Sequence, residues 1–96
     1  MEVRFSAPLW QHSGGTWHFV TMPGDQTDDV KARVGRVRGF GSVRVRATIG
    51  GTTWTTSVFP ATEGFVLPVK RGVRDAEDLD VGDVADVTLA ILDAQD

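Results

Sequence analysis

Arg44 and Arg46 lie two residues apart in a run that alternates apolar and polar residues. On a strand that spacing puts both guanidinium groups on one face, where their donor forks suit a carboxylate or a phosphate. A two-residue Gly50-Gly51 turn folds the chain back so that Thr48 faces Thr53, Arg46 faces Thr55 and Arg44 faces Ser57. The product is a strip of guanidinium and hydroxyl groups. It is either an anion site or a solvated face whose threonines serve β-propensity. Lys70, Arg71 and Arg74 make a second cationic group. Glu77, Asp78 and Asp80 follow directly and are expected to neutralise it through local ion pairs.

The remaining reactive residue types are sparse. His12 and His18 are the only histidines, one ligand or two short of a zinc site, and are expected to be surface or satisfied core groups. With no cysteine, disulfides, thiolate metal sites and a cysteine nucleophile are excluded. Gly35, Gly39 and Gly41 lack the pattern of a phosphate-binding loop and read as turn residues. Asp28-Asp29 and Glu77-Asp78 are adjacent pairs, which do not make the cleft-spanning dyad of a glycosidase. Asp83 after Gly82 is expected to bond a turn. Among the aromatics (Phe5, Trp10, Trp17, Phe19, Phe40, Trp54, Phe59 and Phe65), most are expected in the core, with Trp10 and then Phe40 the candidates for exposure. No catalytic residue, cofactor or metal ligand is assigned, and the enzyme question stays open with a non-enzyme favoured.

Charge is segregated along the 96 residues although the net is only −3. Residues 31–74 hold nine bases and one acid, a net of +8, while residues 75–96 hold eight acids and no base. A basic centre with acidic ends attracts polyanions or is satisfied within the fold.

Period-two alternation marks the elements that carry these groups. Val3, Phe5, Ala7 and Leu9 read as a first strand, and residues 16–22 as its hairpin partner, with Trp17 and Phe19 opposite His18 and Val20. Thr27 is placed to cap a short helix bearing Val30 and Val34 on one face. Residues 42–49 and 52–59 form the hairpin already described, with Ile49 opposite Thr52 and Val43 opposite Val58. Residues 60–64 read as a loop, 65–69 as a short strand made an edge by Pro68, 70–76 as a helical turn or two, and 84–92 as the last strand. Residues 94–96 are expected to fray. Short strands, Gly and Pro turns and two short helices predict a small barrel. It forms one domain over 1–96 with its core in residues 3–92.

Two family resemblances rest on these segments. Leu67-Pro68-Val69-Lys70-Arg71-Gly72-Val73-Arg74, followed by Leu79-Asp80-Val81-Gly82-Asp83-Val84, resembles the DNA-binding half of AbrB/MazE-type swapped-hairpin regulators. The resemblance covers about a fifth of the chain. It implies that basic residues here face DNA phosphates. Over nearly the whole chain the sequence looks like a bacterial and archaeal family catalogued as domain of unknown function 1905. The matching elements include Phe5-x-Ala7, Trp17-x-Phe19-Val20-x-x-Pro23, residues 43–51, Leu67-Pro68-Val69-Lys70 and Val81-Gly82-Asp83. This resemblance implies a double-split β-barrel of AbrB-like architecture and no established activity. A faint repeat, Phe19-Val20-Thr21-Met22-Pro23 against Phe65-Val66-Leu67-Pro68, fits two pseudo-equivalent halves in one chain, so a monomer suffices to close the barrel and a dimer is not excluded.

The expectation is a mainly β, cytoplasmic, non-catalytic binding module. No apolar run approaches the ~20 residues that cross a bilayer, and the start lacks the n- and h-regions of a signal peptide. Its partner is an acidic small molecule, peptide or protein, held by Arg44, Arg46, Thr55, Ser57, Lys70, Arg71 and Arg74. The alternative is a nucleic-acid-binding domain like the AbrB type.

Overall fold

The chain is known from a computed structural model that describes residues 1–34 and 41–93. Alternating apolar side chains give β1 (Glu2–Gln11), β2 (His18–Thr21), β3 (Val43–Ile49), β4 (Thr52–Ala61), β5 (Gly64–Pro68) and β6 (Val84–Ile91), with α1 (Gly24–Val34) after β2 and α2 (Arg71–Ala76) after β5. The strands close into a barrel in the order β1-β2-β5-β4-β3-β6. Every pairing is antiparallel.

The two long strands each serve two sheets. β1 pairs β6 from Glu2 to Pro8 and then turns to β2 from Leu9 to Gln11. β4 pairs β3 from Thr52 to Val58 and then β5 from Phe59 to Ala61. The barrel wall therefore parts in two places, beside the first half of β1 and beside the first half of β4. Exchanging the unit β1-β2-α1-β3 with the unit β4-β5-α2-β6 leaves every strand neighbour unchanged.

The inward positions fill the core. Val3, Phe5 and Leu9 of β1, Val43, Val45, Ala47 and Ile49 of β3, and Ala85, Val87, Leu89 and Ile91 of β6 are buried, joined by Val30 and Val34 from α1 and Val73 from α2. Each large side chain so buried contributes about 1.5–3 kcal/mol. The β3–β4 register is the one the two-residue turn imposes, Ile49 with Thr52 through Val43 with Val58. Gly50 has φ +59° and Gly51 has none positive, as a type II′ turn requires.

Several expectations change. Thr27 does not cap α1, which starts three residues earlier at Gly24. Its buried hydroxyl accepts from the Phe65 N–H (3.1 Å) and donates to the Met22 carbonyl (3.4 Å), tying the end of β2 to β5. Pro23 preceding Gly24 starts the helix, because proline needs no donor there. Residues 60 and 61 extend β4 instead of forming a loop, since Pro60 pairs Phe65 in register. β5 as a whole lies between β2 and β4, but at Pro68 it is paired with β2 alone, so the proline does sit at a local edge. The odd-numbered Phe65 and Val69 bond toward β2, so the N–H that Pro68 lacks would have pointed at the gap beside β4, where no strand needs it. The aromatics are not mostly core: Phe5 and Phe65 are buried, whereas Trp17 and Phe59 are exposed along with Trp10, for which exposure is expected. Phe40, Gly35, Gly39 and residues 94–96 lie outside the described residues. Among the described residues no helix is long and apolar enough to cross a membrane.

Candidate ligand-binding notch

The parting beside β4 is open. It forms a notch of about 540 Å³, within the usual range of small-molecule sites. One wall is β4 at Trp54, Thr55 and Thr56, a second is the start of β2 at Thr16, Trp17 and His18, and the third is Pro68 and Val69 running into Lys70, Arg71 and Arg74 of α2.

Each wall follows from local sequence. Trp54 and Thr56 sit opposite Ala47 and Val45 and so face inward, toward the barrel interior. Thr55 faces outward, but its backbone faces the gap. The Arg44 carbonyl bonds to Leu92 beyond the end of β6, so along β3 the even-numbered residues bond to β6 and the odd-numbered ones to β4. Thr55, opposite Arg46, therefore turns its N–H and C=O away from β3, where β5 does not pair it. These are free edge groups in the notch wall.

Lys70 begins α2 in extended conformation (φ −67°, ψ 159°). Val73 points into the core, which leaves Lys70, Arg71 and Arg74 to line the notch. Arg74 is half-buried. Its Nε donates to the Val69 carbonyl (3.2 Å) and its Nη1 to His18 Nε2 (3.4 Å). His18 in turn donates from Nδ1 to the Thr16 carbonyl at 2.8 Å, which leaves Nε2 bare to accept. The Val69 N–H donates to the His18 carbonyl at 2.9 Å, so β2, β5 and α2 lock together around this guanidinium.

The expected neutralising acids go elsewhere. Glu77 bonds the Thr52 hydroxyl (2.6 Å) and the Gly51 N–H (3.4 Å), clasping the β3–β4 turn. The Asp80 N–H donates to the Asp83 carboxylate at 2.9 Å, which is the turn role expected of Asp83. Asp78 holds a left-handed φ of 53° just after α2. On α2 the ion pair formed is Arg71 with Asp75 at 3.6 Å, both exposed and so worth little. Among the described residues neither Lys70 nor Arg74 has a carboxylate within 4.0 Å.

The seven candidate residues thus divide. Lys70, Arg71, Arg74 and Thr55 meet at the notch; Arg44, Arg46 and Ser57 do not line it. Arg44 and Arg46 project from the outer face of β3, exposed. Sequence reasoning misses Thr16 and Thr56; it weighs Trp17, Trp54 and His18 as pocket residues but sets them aside for core or surface roles. One signal was Thr56, a polar residue at an inward position of β4.

An aromatic ladder leads to the notch. Trp10 and Phe19 lie 5.0 Å apart between ring centroids, and Trp17 stacks on Phe19 at 6.0 Å with planes 12° apart. The Trp10 indole N–H donates to the Thr21 hydroxyl at 2.8 Å, fixing its far end. Trp17 is 61% exposed, more than Trp10 at 36%. No cluster of three or more histidine, aspartate or glutamate side chains suited to a metal occurs among the described residues.

Compared with known families, residues 5–89 match one family, described as a domain of unknown function (DUF1905). No curated protein matches the chain.

Proposed function

The chain belongs to the DUF1905 family, and from that membership, which prescribes no activity, we propose that this barrel is a non-catalytic binding module. It works as a cytoplasmic monomer, and its notch takes an acidic small molecule. One observation carries the reading: Arg74 is held by the Val69 carbonyl and His18 in a notch wall, with no carboxylate within reach among the described residues. A positioned, uncompensated guanidinium is a fixed donor for a carboxylate or phosphate. Lys70 and Arg71 add positive charge, Thr55 adds edge backbone groups, and Trp17, Trp54 and Pro68 supply apolar surface. Arg44 and Arg46 act at most from outside the notch.

The test is a screen of small carboxylates and phosphates by thermal shift, followed by titration calorimetry. Arg74→Gln combined with Lys70→Gln is expected to weaken any hit by roughly tenfold or more, the loss of one or two charge-assisted bonds. Arg44→Gln with Arg46→Gln is expected to leave it unchanged. The reverse pattern would move the site to the outer strip and end the notch reading.

The architecture itself supports a double-split, AbrB-like barrel, because β1 and β4 each serve two sheets and the two halves exchange without changing a neighbour. That likeness also favours the second reading, a nucleic-acid-binding domain using the cations of α2. Duplex DNA anisotropy across a salt series separates the two, since phosphate-driven binding falls steeply with salt. No binding near physiological salt is expected, and salt-sensitive binding that persists there would promote the second reading.

A further inference from the structure

We infer that the ligand of the notch carries a planar aromatic or heteroaromatic ring beside its negative charge. The inference rests on the notch being an anion site and goes on to name the class of anion. Trp17 lines the notch and is the most exposed of the three tryptophans. A large apolar ring left 61% exposed gains little from the fold itself. Yet it is supported, because its ring runs parallel to Phe19, which packs in turn on Trp10, whose indole is anchored at Thr21. Phe19 overlaps Trp17 only in an offset stack, and most of the Trp17 surface stays open to a ligand. Holding an aromatic side chain in place before the ligand arrives removes ordering cost from binding. The lever that supports Trp17 and the lever that fixes Arg74 share one short stretch, Thr16 to Phe19, so ring and guanidinium are set relative to each other. A flat ring stacking on Trp17 while its acidic group reaches Arg74 uses both.

Two sources of such chemistry are a nucleotide and an aromatic carboxylate. Calorimetry on the intact chain compares each with a partner that lacks the aromatic ring: adenosine 5′-monophosphate against ribose 5-phosphate, and 1-naphthoate against cyclohexanecarboxylate. At least one ring-bearing probe is expected to bind roughly tenfold tighter than its partner, as stacking on one aromatic side chain gives. Trp17→Ala should erase that preference, weakening the ring-bearing probe by more than its ring-lacking partner. Arg74→Gln should weaken both members of the pair. Equal affinity within both pairs, or a preference that survives Trp17→Ala, overturns the ring inference while leaving the anion site intact. Failure of all four probes overturns the anion site and the ring inference together. Because Trp17 is exposed, its removal does not threaten the fold, and an unchanged unfolding midpoint of the variant checks this.

Discussion

Arg74 owes its pose to geometry that only a guanidinium can satisfy. One edge bonds a carbonyl and one terminal nitrogen bonds an imidazole, and the remaining N–H groups stay available to a ligand. Lysine at this position keeps the charge and loses the fork. Arg74→Lys is therefore expected to weaken a bound anion by roughly tenfold although the net charge is unchanged, as a titration series would read. Thr27 is the buried counterpart of this logic. Thr27→Val preserves shape but strands the Phe65 N–H without its acceptor, which should lower stability by about 1–3 kcal/mol in urea unfolding. At this scale the sequence was half legible. The cations could be picked out by type, since their charge needs an explanation wherever they fall. The pairing of His18 with Arg74 could not, because the two lie 56 residues apart in the chain.

Elements show where local rules sufficed. The β3–β4 hairpin was readable residue by residue, because a two-residue glycine turn leaves one register and the alternating pattern fixes which face is buried. The start of α1 was not, because Thr27 followed by two aspartates imitates a cap. Its hydroxyl instead serves a strand that lies outside any local window. The reach of β4 through Pro60 was hidden for the same kind of reason, proline being tolerated where β3 has already ended at Val43. Helix α2 also gains a role no local pattern announces, since Glu77 at its end holds the turn at Gly51 and Thr52. Glu77→Ala should cost about 1–2 kcal/mol in denaturant unfolding. It should also speed amide exchange at Gly51 while leaving the core strands protected. Gly50→Ala is expected to be worse, because its added carbon would need a φ of +59° and would meet the Glu77 carboxylate. A Gly50 variant as stable as the parent would refute this clasp.

Across the whole molecule, the barrel closes within one chain. Its unfolding midpoint should therefore not move when the protein concentration changes a hundredfold (roughly the span that exposes mass action in an obligate dimer), and sedimentation should report a single monomeric species. A concentration-dependent midpoint would mean that folded copies associate and would overturn the monomer. The barrel class could be read from many short alternating strands, but the partings in its wall could not. Which halves of β1 and β4 leave their neighbours is decided by the closure of six strands at once, and the notch exists only at such a parting.

The exchange symmetry of the halves has a consequence for how the protein is made. Within β1-β2-α1-β3 only β1 and β2 pair with each other, while β3 finds its neighbours solely in β4 and β6. A nascent chain that has emerged through β3 thus holds one hairpin and one strand with both edges bare. The strand of this barrel made after the other five, β6, is the one that must slot between β1 and β3. Until it does, the barrel stays open along its length, and those bare edges are the ones a neighbouring chain would find. Closure is therefore a late, all-or-none event of synthesis, and a nascent chain stalled before β6 should be protease-sensitive and become resistant once β6 has emerged.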